Sequence, residues 1–314
     1  MNEQIVFYND SASAWEKALY AFLGEKQQRS GSRRTVEGYS RMLQHFFGRL
    51  GKSPDQVTSQ ELFVWAHGRG LSGKEPSAVT ISARMACLSS FYKFLIRMEI
   101  VTANPCDALE RPRISPSPPK GLSAEEIRRL LAAIPETKVG VRDRAIILTL
   151  ALTGRRRTEV IDLKREDISQ DGEKVYYTYR GKGGRQGKRE LPYPAFEAIT
   201  KALTAWTLSF ETMEPQQSLW PTDDRGRSAK GLGVTSGTFY ANLQRYLGLA
   251  GLPAAGVHIL RHSAAKLRRD AGESIEDVSR FLDHSSLAVT TTYLRRLEGE
   301  EDRSWGKVAE AIGV

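Results

Sequence analysis

The sequence predicts a mainly α-helical chain with one small β-sheet, divided into a helical N-terminal domain and a mixed α/β second domain. Three observations predict it. Apolar residues recur at helical spacing through the first hundred residues, a proline-rich stretch then breaks all periodicity, and one tyrosine-rich segment of strand character lies in the second half.

The elements follow in order. An apolar pattern from Trp15 through Leu23 gives a first helix. Tyr39, Met42, Leu43, Phe46, Phe47 and Leu50 recur at steps of three and four, as an amphipathic second helix requires. Thr58 with Glu61 opens a third as a capping box, each side chain satisfying a free amide of the other's backbone. Ile81, Met85, Leu88, Tyr92 and Leu95 form the stripe of a fourth. Thr102 to Lys120 then carries five prolines, which lack an amide donor and push the preceding residue away from helix, so the stretch reads as an extended connection. The expected division is a four-helix domain over 1–112, a Pro-rich linker over 113–120 and a second domain over 121–314.

In the second domain Ser123 with Glu126 caps a helix, helical patterns cover 123–134 and 141–152, and another begins near Arg156. Val175, Tyr176, Tyr177 and Tyr179 favour strand, and the Gly-rich turn before "RELP" predicts a hairpin. Helices return from about 193 to the end, closing on a short apolar stripe of Trp305, Val308, Ala309 and Ile312.

The chain has 314 residues, 40% of them hydrophobic and 26% charged, which excludes wholesale disorder and gives each domain length enough for a core. The formal net charge of +9 points to a polyanionic partner, nucleic acid or an anionic membrane surface. No apolar run approaches the roughly 20 residues that span a bilayer. The start, "MNEQIVFYNDSASAW", lacks the basic-then-apolar pattern of a secretory signal, so nucleic acid is the better partner. Cys87 and Cys106 have no His or Cys neighbour at metal-ligand spacing and read as reduced thiols of a cytoplasmic protein.

Three of the five histidines, His258, His262 and His284, fall in the last sixty residues with Arg261 and Tyr293. His258 and Arg261 are three apart and share a helix face. A cation beside a histidine opposes metal binding. It suits a phosphate, on which arginine forks two hydrogen bonds while histidine moves a proton. "LTGRRRTEV" sets three arginines at a helix start, where the dipole is unfavourable to cations, so an anion or acidic partner should offset them. Tyr293 alone, in "HSSLAVTTTYLRRLEG", reads as a packing residue.

Together, "TGRRRTEV", "GKGGRQGKRELP", "HILRHS", "LDHSS" and "TTTYL" resemble, in order and spacing, the tyrosine recombinase (phage integrase, Xer-like) family. The resemblance spans the whole chain and implies a SAM-like core-binding domain followed by a catalytic domain. It implies catalytic roles for Arg156, Lys182, His258, Arg261, His284 and Tyr293, with Tyr293 as the nucleophile. Lys182 matches the family's lysine through "GKG", and Lys188 stays a rival because this hairpin is about two residues longer than the common form. Asp283 stands where a glycine is common, and Arg155 where a small or apolar residue is common.

The implied activity is site-specific recombination through a 3′-phosphotyrosyl intermediate and a Holliday junction, without metal, cofactor or ATP. The implied partners are double-stranded DNA with inverted-repeat sites and three further copies of the chain. The two domains would clamp the duplex, with Arg33, Arg34, Arg41 and Arg84 as candidate DNA contacts. A C-terminal oligomerisation helix would dock on a neighbour, or on its own domain. The first helix starts almost at once, which favours a simple recombinase over larger integrases with an arm-binding domain. Two alternatives stay open: a non-catalytic DNA-binding architectural protein of the same fold, and a type IB topoisomerase-like relaxing enzyme.

Overall fold

The computed structural model describes residues 14–31, 33–70, 73–114, 121–181 and 186–283. The chain divides into two compact units, 1–115 and 116–314.

The first unit is built from α1 (Ala14–Ser30), α2 (Arg33–Leu50), α3 (Ser59–His67) and α4 (Ala78–Arg97). Thr58 and Glu61 cap α3 reciprocally, and the Ser77 hydroxyl accepts from the Thr80 amide at the start of α4. The predicted stripes close on one aromatic core. Phe22 meets Phe91 edge-on at 5.2 Å between ring centroids, and Phe46 meets Trp65 at 5.0 Å. Burying a side chain of this size contributes about 1.5–3 kcal/mol, so this core holds the unit together. By length and overall composition α4 could pass for a membrane span, but Arg84 and Lys93 lie within it, so no unbroken apolar run of that length exists there, as expected. The helix buries Met85, Leu88, Phe91 and Leu95 in this core instead, as the central helix of the unit. Cys87 and Cys106 are buried there as free thiols, and desolvation pushes each up to about 12.

The proline-rich stretch is not extended from its start. Pro105–Ala108 forms a 3₁₀ turn, with Asn104 accepting from the Cys106 amide and donating to Ser89 Oγ at 3.2 Å. Proline suits the first position of such a turn, where its missing amide is not needed. This part of the stretch belongs to the first unit's core.

The second unit begins with α5 (Ala124–Ala132), capped by Ser123 and Glu126 as expected. Next come α6 (Lys138–Thr153) and α7 (Arg157–Ile161). The sheet follows, with β1 (Ile168–Asp171), β2 (Lys174–Arg180) and β3 (Gln186–Glu190) antiparallel in the order β1-β2-β3. The hairpin is the predicted one. The first strand was not predicted, because "ISQD" carries one apolar residue and no alternation. Along β2, Val175, Tyr177 and Tyr179 are buried, and Tyr177 pairs with Arg189 across the ladder. A Cβ on Gly187 would lie 2.4 Å from the Tyr179 ring, so this register needs glycine there.

The remaining described helices are α8 (Tyr193–Ala205), α9 (Arg225–Ser228), α10 (Ser236–Leu249), α11 (His258–Asp270) and α12 (Ile275–Phe281). The run after 193 is therefore interrupted, since 206–224 contains no helix. Central in this unit is α6, which buries Ala145, Ile146, Ile147 and Leu150. It also buries Arg142 and Asp143, whose side chains pair at 2.7 Å. Asp143 accepts from Asn242 and Tyr246 on α10, and Arg142 donates to the Pro221 carbonyl at 2.7 Å. The pair thus links α6 to α10 and to the irregular segment at Pro221.

Candidate active site

The site begins where α6 ends. Gly154 closes that helix in the left-handed region, φ 62°, donating its amide to the Leu150 carbonyl. A Cβ at Gly154 would also meet Phe281 Cε1 at 2.6 Å, so both the turn and the approach of α12 require glycine.

The three arginines that follow are used differently. Arg155 is buried, 1% exposed, and its Nη1 and Nη2 donate to the Asp283 carboxylate and the Phe281 carbonyl. Its guanidinium lies over the Tyr179 ring at 4.7 Å. Arg156 is half-buried and bonds Glu159 Oε1 from Nη1 at 2.7 Å, while its amide donates to Glu159 Oε2 at 2.8 Å. The acidic partner expected at this helix start is thus supplied from within, by the buried Glu159. Arg157 lies in the first turn of α7.

The predicted His–Arg pair opens α11. Arg261, 1% exposed, donates from Nη1 to the Gly154 carbonyl at 2.7 Å and from Nη2 to the Leu282 carbonyl at 2.6 Å. One guanidinium therefore joins the Thr-Gly turn, α11 and the end of α12. His258 keeps an exposed edge in the first turn of α11, its ring 5.0 Å from that of His262. Desolvation first, then His262, Arg261 and Arg156, push its imidazole down to about 4. The bond from Arg261 to the Gly154 carbonyl brings the helix that carries His258 and Arg261 to the turn that precedes Arg156. The imidazole is neutral at pH 7 and can accept a proton.

Lys182, His284 and Tyr293 lie outside the described residues, as does the expected C-terminal helix. Lys188 is described. It pairs with Thr178, and its Nζ stands 5.0 Å over the Tyr176 ring. Alternation along β3 sets it on the sheet face opposite Arg189. Arg189 points to the end of α12, donating from Nη2 to Asp283 Oδ1 at 2.5 Å and to the Arg280 carbonyl at 3.1 Å. Among the described residues, no group of three His, Cys, Asp or Glu could hold a metal ion.

Of the four candidate DNA contacts, Arg34 and Arg41 are exposed on α2, and Arg33 pairs with Glu37 at 2.9 Å. Arg84 is committed locally: its Nη1 donates to the carbonyls of Trp65, Ala66 and Gly68 at the end of α3.

Sequence reasoning missed the set around Asp283. Arg155 and Asp283 each stood out as departures from the family pattern, but nothing in the sequence paired them, since they lie 128 positions apart. Tyr179 and Arg189, which also bond Asp283, carried no such signal.

The model of the phage integrase N-terminal SAM-like domain matches residues 19–99. A tyrosine recombinase XerC of Syntrophus aciditrophicus is 30% identical over 73% of this chain and 74% of its own length. A tyrosine recombinase XerD of Rhizobium meliloti is 26% identical over 92% and 93%. In fold, the chain is similar to XerH site-specific recombinase bound to palindromic difH substrate, with a TM-score of 0.67 at 20% identity over 98% and 86% of the two chains. It is similar as well to a lambda integrase from a tetramer bound to a Holliday junction, with a TM-score of 0.67 at 18% identity over 93% and 81%. The phage integrase family model matches residues 120–300, more than half of the chain, and the protein belongs to that family, the tyrosine recombinases.

Proposed function

We propose that this chain is a site-specific recombinase that cuts and rejoins DNA through Tyr293. The observation that carries the reading is the bonding of Arg261 to Gly154 and Leu282, which gathers the Arg156 turn, the His258 helix and the segment entering His284.

The chemistry follows from charge. A tyrosine hydroxyl has an ordinary pKa near 10 and is a weak nucleophile at neutral pH. Arg156, from a half-exposed side chain, and Arg261, from an enclosed one, supply two positive charges to the non-bridging oxygens of the scissile phosphate as negative charge builds there. Tyr293 Oη attacks phosphorus, the bond to the 5′-oxygen breaks, and that oxygen takes a proton from Lys182. The tyrosine proton passes to His258, whose neutral imidazole accepts it, and His284 donates a hydrogen bond to a phosphate oxygen. The product is a 3′-phosphotyrosyl bond and a free 5′-hydroxyl. A partner strand's 5′-hydroxyl reverses the step, so no ATP is needed. Lys182 is preferred to Lys188 because Lys188 faces away from Arg189 and Asp283.

The same reading takes the first unit as a core-binding domain, with Arg34 and Arg41 its best-exposed DNA contacts, and the boundaries as 1–112, 113–120 and 121–314. The partners would be inverted-repeat duplex sites and a homotetramer joined through the C-terminal helix, in the cytoplasm. A nicked suicide substrate tests the reaction: the wild type should form a denaturant-resistant adduct at a 3′-phosphate, and Tyr293→Phe should form none. An adduct with Tyr293→Phe would overturn the nucleophile. Binding without cleavage on the cognate site would leave a DNA-binding architectural protein instead.

A further inference from the structure

The carboxyl end of α12 gathers an unusual set of cations. Arg189 from β3, Arg155 from the turn after α6, and Arg261 from α11 donate to three successive carbonyls, those of Arg280, Phe281 and Leu282. A helix C-terminus is the negative end of its dipole and leaves such carbonyls open, so cations belong there. Asp283 follows, with φ 52°, a left-handed conformation that aspartate tolerates better than most residues and that hydrogen bonds to its side chain stabilise. Its holders are visible. One carboxylate oxygen accepts from Arg155 and from the Tyr179 hydroxyl, and the other from Arg189. Burial would raise the Asp283 carboxyl, but the hydrogen bond from Tyr179 and the Arg155 charge win and keep it below its ordinary value. Asp283 is thus ionised at neutral pH.

Arg155 needs this partner as much as Asp283 does. Its guanidinium is enclosed between the rings of Tyr179 and Phe281, at 4.7 and 5.8 Å, and a buried cation without an anion is strongly disfavoured. Arg155 is the covalent neighbour of Arg156, and Asp283 that of His284.

We propose that Arg155 and Asp283 are a pair of positioning residues that lock the turn carrying Arg156 to the backbone entering His284. The inference rests on the recombinase reading for its effect on catalysis, but the lock is a physical coupling that can be measured without catalysis.

The test uses the full chain as wild type, Arg155→Met, Asp283→Gly, the double variant Arg155→Met with Asp283→Gly, and Tyr179→Phe as a milder probe should a single variant fold poorly. Amide hydrogen exchange is followed in the peptide carrying Leu282 and Asp283. Arg155→Met should speed exchange there, though the substitution is 128 positions away, and Tyr179→Phe should do so more weakly. Unchanged exchange in both would overturn the lock. Single-turnover cleavage of the nicked substrate is then compared with DNA affinity. Either single variant should lose about 10–100-fold in cleavage rate, as for a site displaced by about an ångström, with the Kd for DNA unchanged. The double variant should lose no more than the worse single variant, because the second change has no lock left to break. Losses that add in the double variant would show two independent structural residues and overturn the pairing. A wild type that cleaves nothing would instead sink the recombinase reading, leaving the exchange result to decide the lock.

Discussion

Arginine closes the carboxyl end of a helix in both units, with different consequences. In the first unit one residue, Arg84 of α4, reaches three carbonyls at the end of α3, and both helices lie within 20 positions of the contact. In the second unit three arginines from three elements converge on α12, two of them more than 90 positions away from the carbonyls they bond. The first arrangement staples neighbouring helices. The second ties α6, β3 and α11 to one point on the chain, next to His284. The same chemistry serves local stability in one place and alignment of a site in the other.

The largest effect should come at the centre of the second arrangement. Gly154→Ala places a Cβ into Phe281 and forces a left-handed turn, so it should cost well above about 1 kcal/mol in thermal or denaturant unfolding and lower cleavage as well. A variant as stable as the wild type would show that α12 does not press on this turn. A smaller effect is expected at the staple. Arg84→Met should lose about 1–2 kcal/mol of stability, the worth of its carbonyl bonds, while the salt dependence of DNA binding stays the same. Arg41→Gln should do the reverse, leaving stability nearly unchanged and reducing the salt slope by about one. If Arg84→Met also reduces that slope, its guanidinium serves phosphate as well as α3.

The smallest effect is electrostatic, because His258 is exposed in the fold and solvent screens its charge. The folded protein holds His258 at about 4, below its ordinary value of 6.5, so the unfolded chain binds the extra proton first as pH falls. The stability contributed by the neutral imidazole is complete above about pH 6.5 and is lost as pH drops through that window to about 4. Unfolding titrations from pH 7 to 4 should show a flatter loss for His258→Gln than for the wild type. A residual slope is expected, because desolvation and Arg261 lower His262 too. Parallel curves would mean that His258 titrates freely.

Much of the fold was legible because local pattern and local chemistry agree. The stripes of α2 and α4, the capping boxes at Thr58 and Ser123, and the tyrosine alternation of β2 each depend on residues within a few positions. Where pattern was weak the reading stopped: "ISQD" pairs through its backbone, and the 206–224 segment is held by buried Met213, Leu219 and Trp220 and by the bond from Arg142 to the Pro221 carbonyl rather than by periodicity. The site divides in the same way. Motif order placed Arg156, His258 and Arg261 in one reading, and the bond from Arg261 to the Gly154 carbonyl draws the helix carrying His258 and Arg261 to the Arg156 turn.

The sequence alone determined the helical plan and the hairpin, because these follow from spacing along the chain, while the proposed reacting groups came from its resemblance to the family. It also marked Arg155 and Asp283 as unusual, one at a time. Only the tertiary structure decided that they answer each other, that Arg84 is spent on α3, and that Lys188 faces away from Arg189. The reason is physical. A guanidinium is satisfied by whichever carbonyl or carboxylate the fold brings within reach, and distance along the chain does not record that choice.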